Sequence, residues 1–270
     1  MKLKIFRYDG ESESPEGSQT RYDTFEFDAP PGMTVLSGLF HIQERFDDSL
    51  SFRYSCRGAV CGSCAMLINK VPTLACRTQL QDLIQDEEGR TTGETISLKP
   101  YDAISSGESW DPTSEILIEP LPHFPVLKDL IVNMDRFFEF YRSVIPVLKA
   151  DDSTLPADAT ERTMEPAMVT ELEHYTNCIL CASCYGACPV SGEAPDFIGP
   201  AALAKLYRFT IDPREEDETY RLELGDSKAG WWGCEFHGNC KRVCPKGVPP
   251  NLGIGKARQK LMKMGKTPPE

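Results

Sequence analysis

Alternation marks the first part of the chain. KLKIFRY and YDTFEFD place apolar side chains at every second position, as half-buried strands do, and the polar run ESESPEGSQT between them reads as a connecting loop. After PGM the period changes: in TVLSGLFHIQERF the residues Val35, Leu36, Leu39, Phe40 and Phe46 fall near helical spacing. AMLIN, TISLKP and EILIEP read as further strands, and the proline-rich EPLPHFP as a linker. In LKDLIVNMDRFFEFYRSV the residues Leu127, Leu130, Ile131, Met134, Phe137, Phe138 and Tyr141 recur at three and four positions, which predicts one helix with an apolar face. Further helices are predicted around ERTMEPAMVTELEHY, GPAALAKLYRF and NLGIGKARQKLMKM. Nothing approaches the run of about 18 apolar residues that a membrane-crossing helix needs.

The switch from strand to helix periodicity predicts an α+β protein of two units. A β-rich unit would span residues 1–119 and a helical one 120–270, within the one to two domains that 270 residues allow. Charge is unevenly spread. The chain carries a net -12, yet residues 228–270 hold nine Lys or Arg against Glu235 and Glu270, a local +7. Such a tail suits an anionic membrane surface or a complementary subunit, and equally a solvated helix face. No basic stripe interleaved with aromatics occurs elsewhere, so nucleic acid is not an expected partner.

Chemistry enters with the cysteines, eleven of them in three tight groups. Cys56, Cys61, Cys64 and Cys76 have the C-x4-C-x2-C spacing, with a more distant fourth, of a plant-type 2Fe-2S ferredoxin loop. Cys178, Cys181, Cys184 and Cys188, followed by Pro189, form the bacterial ferredoxin run for cubane clusters. Cys234, Cys240 and Cys244, followed by Pro245, make the third group. Zinc sites favour two C-x2-C pairs closing one tetrahedron, which these runs match poorly. A disulfide framework would suit an even count in a small secreted chain. Here the count is odd and the start, MKLKIFRYDG, lacks an apolar signal segment, so a reducing compartment is expected.

In two-cluster ferredoxins the cysteine before proline ligates the other cluster. That exchange gives Cys178, Cys181, Cys184 and Cys244 as four ligands of a 4Fe-4S cluster. Three remain, Cys188, Cys234 and Cys240, and three thiolates suit a 3Fe-4S cluster. His237 stands where a fourth cysteine of the third run would be. Histidine can ligate iron, as in Rieske centres, but the commoner arrangement is a histidine beside the cluster that hydrogen-bonds a sulfide or a partner.

Taken together, YSCRGAVCGSCAM, VPTLACRT, LKDLIV, CILCASCYGACP, DFIGPAAL and VCPKG resemble the iron-sulfur subunits of succinate dehydrogenase and fumarate reductase across nearly the whole chain. The resemblance implies a β-grasp 2Fe-2S ferredoxin domain followed by an all-α, bacterial-ferredoxin-like domain holding 4Fe-4S and 3Fe-4S clusters. It implies electron relay between FAD on a partner flavoprotein and a membrane quinone. A membrane anchor that can carry haem, and a place on the cytoplasmic face of the plasma membrane, are implied as well. Pro189, His237 and Arg258 are then the quinone-proximal candidates, Arg258 standing where the family often has lysine. Where ubiquinone-reducing relatives have a tryptophan and a histidine, this chain has Glu193 and Glu235; CYGACP and Trp232 are more similar to fumarate reductases and menaquinone-linked enzymes. The alternative is an iron-sulfur subunit of a soluble fumarate reductase or glycolate-type oxidase with a non-quinone partner.

Overall fold

The computed structural model describes residues 1–10, 20–86, 88–91, 108–150, 153, 155, 158–159 and 161–269. TISLKP and most of ESESPEGSQT lie outside the described residues. The first alternating segment forms β1 (Lys2–Arg7), which turns Leu3, Ile5 and Arg7 inward. It pairs antiparallel with β2 (Arg21–Glu26). A helix follows, α1 (Val35–Arg45), started by the Thr34 hydroxyl accepting from the Ser37 N–H. Its Val35, Leu36, Leu39 and Ile42 join Leu3, Ile5 and Met66 in one core. Strands β3 (Ala65–Ile68), β4 (Val71–Leu74) and β5 (Glu115–Glu119) complete a five-stranded sheet among the described residues, in the order β2-β1-β5-β3-β4. Only the β1–β5 pairing is parallel among those described.

Two buried ion pairs close this unit. Lys70, in the left-handed β3–β4 turn, meets Glu119 at 2.6 Å, and Glu119 also accepts from the Tyr22 hydroxyl. Arg7, 3% exposed, bonds Asp23, Asp47 and Asp129.

Asp129 explains a correction to the expected helix from Leu127. The segment instead forms a hairpin, β6 (Val126–Lys128) and β7 (Ile131–Val132), and helix α2 begins only at Asp135–Ser143. At the turn, buried Asp129 accepts from Arg7 Nε (3.1 Å), the Tyr8 N–H (3.0 Å) and the Ser51 N–H (2.9 Å). A continuous helix would withdraw that carboxylate and leave Arg7 and two backbone donors without it. Leu130 enters the N-terminal core, while Leu127 stays exposed.

Beyond the hairpin the chain is helical: α3 (Pro166–Thr176), α4 (Ser183–Gly186), α5 (Pro189–Glu193), α6 (Gly199–Thr210), α7 (Glu218–Leu224), α8 (Asn239–Arg242) and α9 (Pro250–Lys263). Proline opens α3, α5, α6 and α9, where its missing N–H costs nothing. Helix α6 is the hub, packing against α9, α7, α3, α2 and α4. Its Leu203, Leu206 and Tyr207 are buried with Tyr175, Trp231, Ile254 and Leu261. Fully buried Arg221 holds the chain after α2 by donating to the carbonyls of Ile145 (2.7 Å) and Val147 (2.6 Å). The basic tail is partly answered from within: Lys256 pairs with Glu171, Lys260 with Glu218, and Lys266 with Glu223 and Asp226. No helix among the described residues is long and apolar enough to cross a membrane.

Candidate iron-sulfur sites

The eleven thiols are free and gather at three places. The first is the loop before β3, with Cys56, Cys61 and Cys64, faced by Cys76 just after β4. Arg57, Ala59 and Gly62 have positive φ (56°, 57° and 76°), which turns successive N–H groups inward as an anion-binding nest. Those N–H groups meet sulfur. Gly58, Val60 and Cys61 donate to Cys56 Sγ (3.4, 3.3 and 3.3 Å), Ala59 to Cys76 Sγ (3.3 Å), and Cys56 and Ser63 to Cys61 Sγ (3.4 and 3.5 Å). Left-handed backbone at Arg57 and Ala59, which carry side chains, is strained, and the donors it aims are the compensation. The Arg57 guanidinium lies over the rings of Phe40 and Tyr54. Electrostatics within the loop are split: the Ser63 hydroxyl, with backbone N–H groups of Cys56 and Ser63, pulls Cys61 down to about 6, whereas burial pushes Cys64 up to about 12.

The second and third places have repeated backbone geometry. After Cys178, Leu180 and Ala182 are left-handed, α4 starts, and Cys188-Pro189 opens α5. After Cys234, Phe236 and Gly238 are left-handed, α8 starts, and Cys244-Pro245 follows. His237 thus occupies the backbone position of Cys181. The two runs are joined by the buried Asn239, whose amide donates to the Ala187 carbonyl at 3.0 Å.

One cavity is lined by Cys178, Cys181, Cys184 and Cys244, with Ala201, Ala204, Val248 and Pro250 among its apolar walls. A second is lined by Cys188, Cys234 and Cys240, with Pro189, Phe236 and His237. The fold therefore brings together the same four and three thiols that the ferredoxin exchange groups. Burial pushes Cys178, Cys181, Cys184, Cys188 and Cys234 upward and Cys240 up to about 12. A cluster's iron is what would make thiolates stable there, and the donor set fits one: thiols around apolar cavities, with N–H groups of Val248 and Phe236 on Cys244 (3.3 Å) and Cys234 (3.4 Å).

His237 lines the three-thiol cavity but spends Nε2 on Glu235 at 3.1 Å, with its side chain 29% exposed. Pro189 is buried at the start of α5. Arg258 does not line the cavity's wall but clamps its loop: Nε donates to the Trp231 carbonyl and Nη2 to the Cys234 carbonyl, both at 2.6 Å, between the rings of Trp232 and Phe236. Burial lowers its pKa. Ser63, Asn239 and the stacking of Arg57 on Phe40 and Tyr54 escaped sequence reasoning. Only Ser63 carried a signal, as the residue beside two cysteines in CGSC.

Comparison with known proteins agrees with this geometry. Residues 2–139 match the 2Fe-2S iron-sulfur cluster binding domain family, and residues 174–248 the 4Fe-4S dicluster domain family. The fumarate reductase iron-sulfur subunit of Haemophilus influenzae is 30% identical over 96% of this chain and 91% of its own. That of Mycobacterium tuberculosis is 33% identical over 92% of this chain and 87% of its own. Among solved structures, a chain of the Mycobacterium smegmatis Sdh1 complex in the apo form superposes with a TM-score of 0.75 at 21% identity, covering 97% of this chain and 95% of that one, which speaks for the fold.

Proposed function

Since the chain belongs to the family of fumarate reductase iron-sulfur subunits, and so is an electron-transfer subunit of a succinate/fumarate oxidoreductase, we propose how its residues divide that work. Cys56, Cys61, Cys64 and Cys76 hold the 2Fe-2S cluster. Cys178, Cys181, Cys184 and Cys244 hold the 4Fe-4S cluster, and Cys188, Cys234 and Cys240 a 3Fe-4S cluster. These groups supply one-electron redox chemistry; the chain supplies their spacing, sulfur hydrogen bonds and exclusion of water. No residue here acts on the dicarboxylate.

The observation that carries the reading is the three-thiol cavity: its fourth backbone position belongs to His237, whose imidazole is engaged by Glu235. We read the N-terminal unit, residues 1–119, as a β-grasp, since one helix packs across a mixed five-stranded sheet, and residues 120–270 as the cubane-bearing unit. FAD on a flavoprotein subunit faces the first site. A membrane anchor subunit, with haem where the anchor carries it, and a quinone, with menaquinone favoured by CYGACP and Trp232, face the third on the cytoplasmic side. Pro189, His237 and Arg258 flank that exit.

Co-purification tests the assembly. In mild detergent the chain should bring down a flavoprotein and hydrophobic subunits, with succinate reducing its clusters and quinone reoxidising them. Recovery as a free monomer fully active with succinate and quinone would refute it.

A further inference from the structure

Gly62 lies between two cysteines of the first site, with φ +76°. A Cβ built on it would stand 2.8 Å from Cys181 Cβ, 2.9 Å from Cys181 Cα and 2.9 Å from the Ile179 carbonyl oxygen. Two of those three neighbours are backbone atoms, which cannot swing aside as the end of a flexible side chain can. Ile179 and Cys181 pack against the N-terminal core, though they belong to the second cysteine run. A second strut joins the same two sites: Arg77, next to Cys76, donates from Nη1 to the carbonyl of Pro245, next to Cys244, at 3.0 Å. The loops of the first and second sites are therefore in contact at Gly62 and tied again at Arg77.

We infer that Gly62 is the positioning residue that sets the spacing across which an electron passes between the 2Fe-2S and 4Fe-4S sites, with the Arg77–Pro245 bond as its support. This rests on the cluster assignment above. In that step one electron is lost at one site and gained at the other, with no bond made or broken and no proton moved. Any side chain at position 62 forces the loops apart or deforms the Cys61–Cys64 turn, and left-handed backbone is itself strained for a residue with a Cβ.

The test uses the purified complex carrying Gly62→Ala, Arg77→Ala or Gly32→Ala. Gly32 has φ +82° with nothing within 4 Å of a Cβ, so it reproduces the backbone strain without the contact. Two quantities are read: the magnetic coupling between the two centres, both chemically reduced, by electron paramagnetic resonance, and the rate of transfer between them after rapid mixing. Iron content and the individual cluster signals of the unaltered complex report separately on the cluster assignment. Gly62→Ala should load its clusters yet lose coupling and transfer slowly; Arg77→Ala should show a smaller change of the same sense, and Gly32→Ala none. A fully loaded Gly62→Ala with unaltered coupling and rate overturns the inference. If Gly62→Ala fails to load the first site, Arg77→Ala decides: unaltered coupling and rate there overturn it, and weakened coupling supports it.

Discussion

The N-terminal cluster loop and the paired C-terminal cavities both aim N–H groups at sulfur, yet they differ in how far they bury it. Around Cys56, Cys61 and Cys76 the backbone donates N–H groups from a strained, partly exposed strap. Around the seven C-terminal thiols N–H groups also reach sulfur, but apolar walls bury it, and each run contributes its last cysteine to the other run's cavity. A strap can be perturbed alone. Under the proposed exchange of ligands, each of the two sites would fail through a residue that lies beside the other.

The largest effect should come from breaking that exchange. Cys244→Ser should abolish the 4Fe-4S signal although it belongs to the third run, and Cys188→Ser should damage the three-thiol centre although it belongs to the second. The 2Fe-2S signal should survive both. Cluster-by-cluster electron paramagnetic resonance reads this, and damage following sequence proximity would show that the ligands are not exchanged.

Removing one of the N-terminal unit's buried cations comes next. Arg7→Ala leaves buried Asp129 without its ion pair, and breaking such a pair costs about 3–5 kcal/mol. Under denaturant the 2Fe-2S absorbance should then be lost earlier than the cubane signals; simultaneous loss of all signals at an unchanged midpoint would mean that Arg7 carries no such weight.

A smaller effect lies in how the two regions titrate without iron. In cluster-free chain, Cys61 is lowered to about 6, so its favourable contribution is present above pH 9 and lost as pH falls through 6. Cys64 and Cys240 are raised to about 12, so theirs is present below pH 9 and lost as pH rises toward 12. Alkylation followed by mass spectrometry should therefore label Cys61 near neutral pH and leave Cys240 unlabelled until the fold opens. Ser63→Ala should move Cys61 labelling to higher pH. Equal labelling of both thiols at neutral pH would erase the contrast between strap and cavity.

The smallest is no change at all. His237→Ala should leave the iron content as it was, because Nε2 is engaged by Glu235; loss of one iron would make His237 a ligand.

Cysteine spacing anticipated which thiols share a cavity, since the four-and-three grouping follows from one exchange rule. The donors to sulfur were not legible. They depend on left-handed backbone at Arg57, Ala59, Leu180, Ala182 and Phe236, where the residue type gives no hint. Strands β1, β2, β3 and β5 and helices α1, α3, α6 and α9 formed within the predicted segments. The segment from Leu127 did not form one continuous helix, because its apolar spacing served two partners: Leu130 turned to the N-terminal core, and Asp129 to an arginine 122 residues away. Local periodicity cannot report so distant a carboxylate's partner.

Iron analysis of the purified chain, paired with electron paramagnetic resonance of its oxidised form, tests the three-cluster assignment most directly. About nine iron atoms per chain, from one 2Fe-2S, one 4Fe-4S and one 3Fe-4S centre, together with a 3Fe-4S signal, are expected. About ten iron atoms with no such signal would contradict the three-thiol cavity and place a fourth ligand on its cluster.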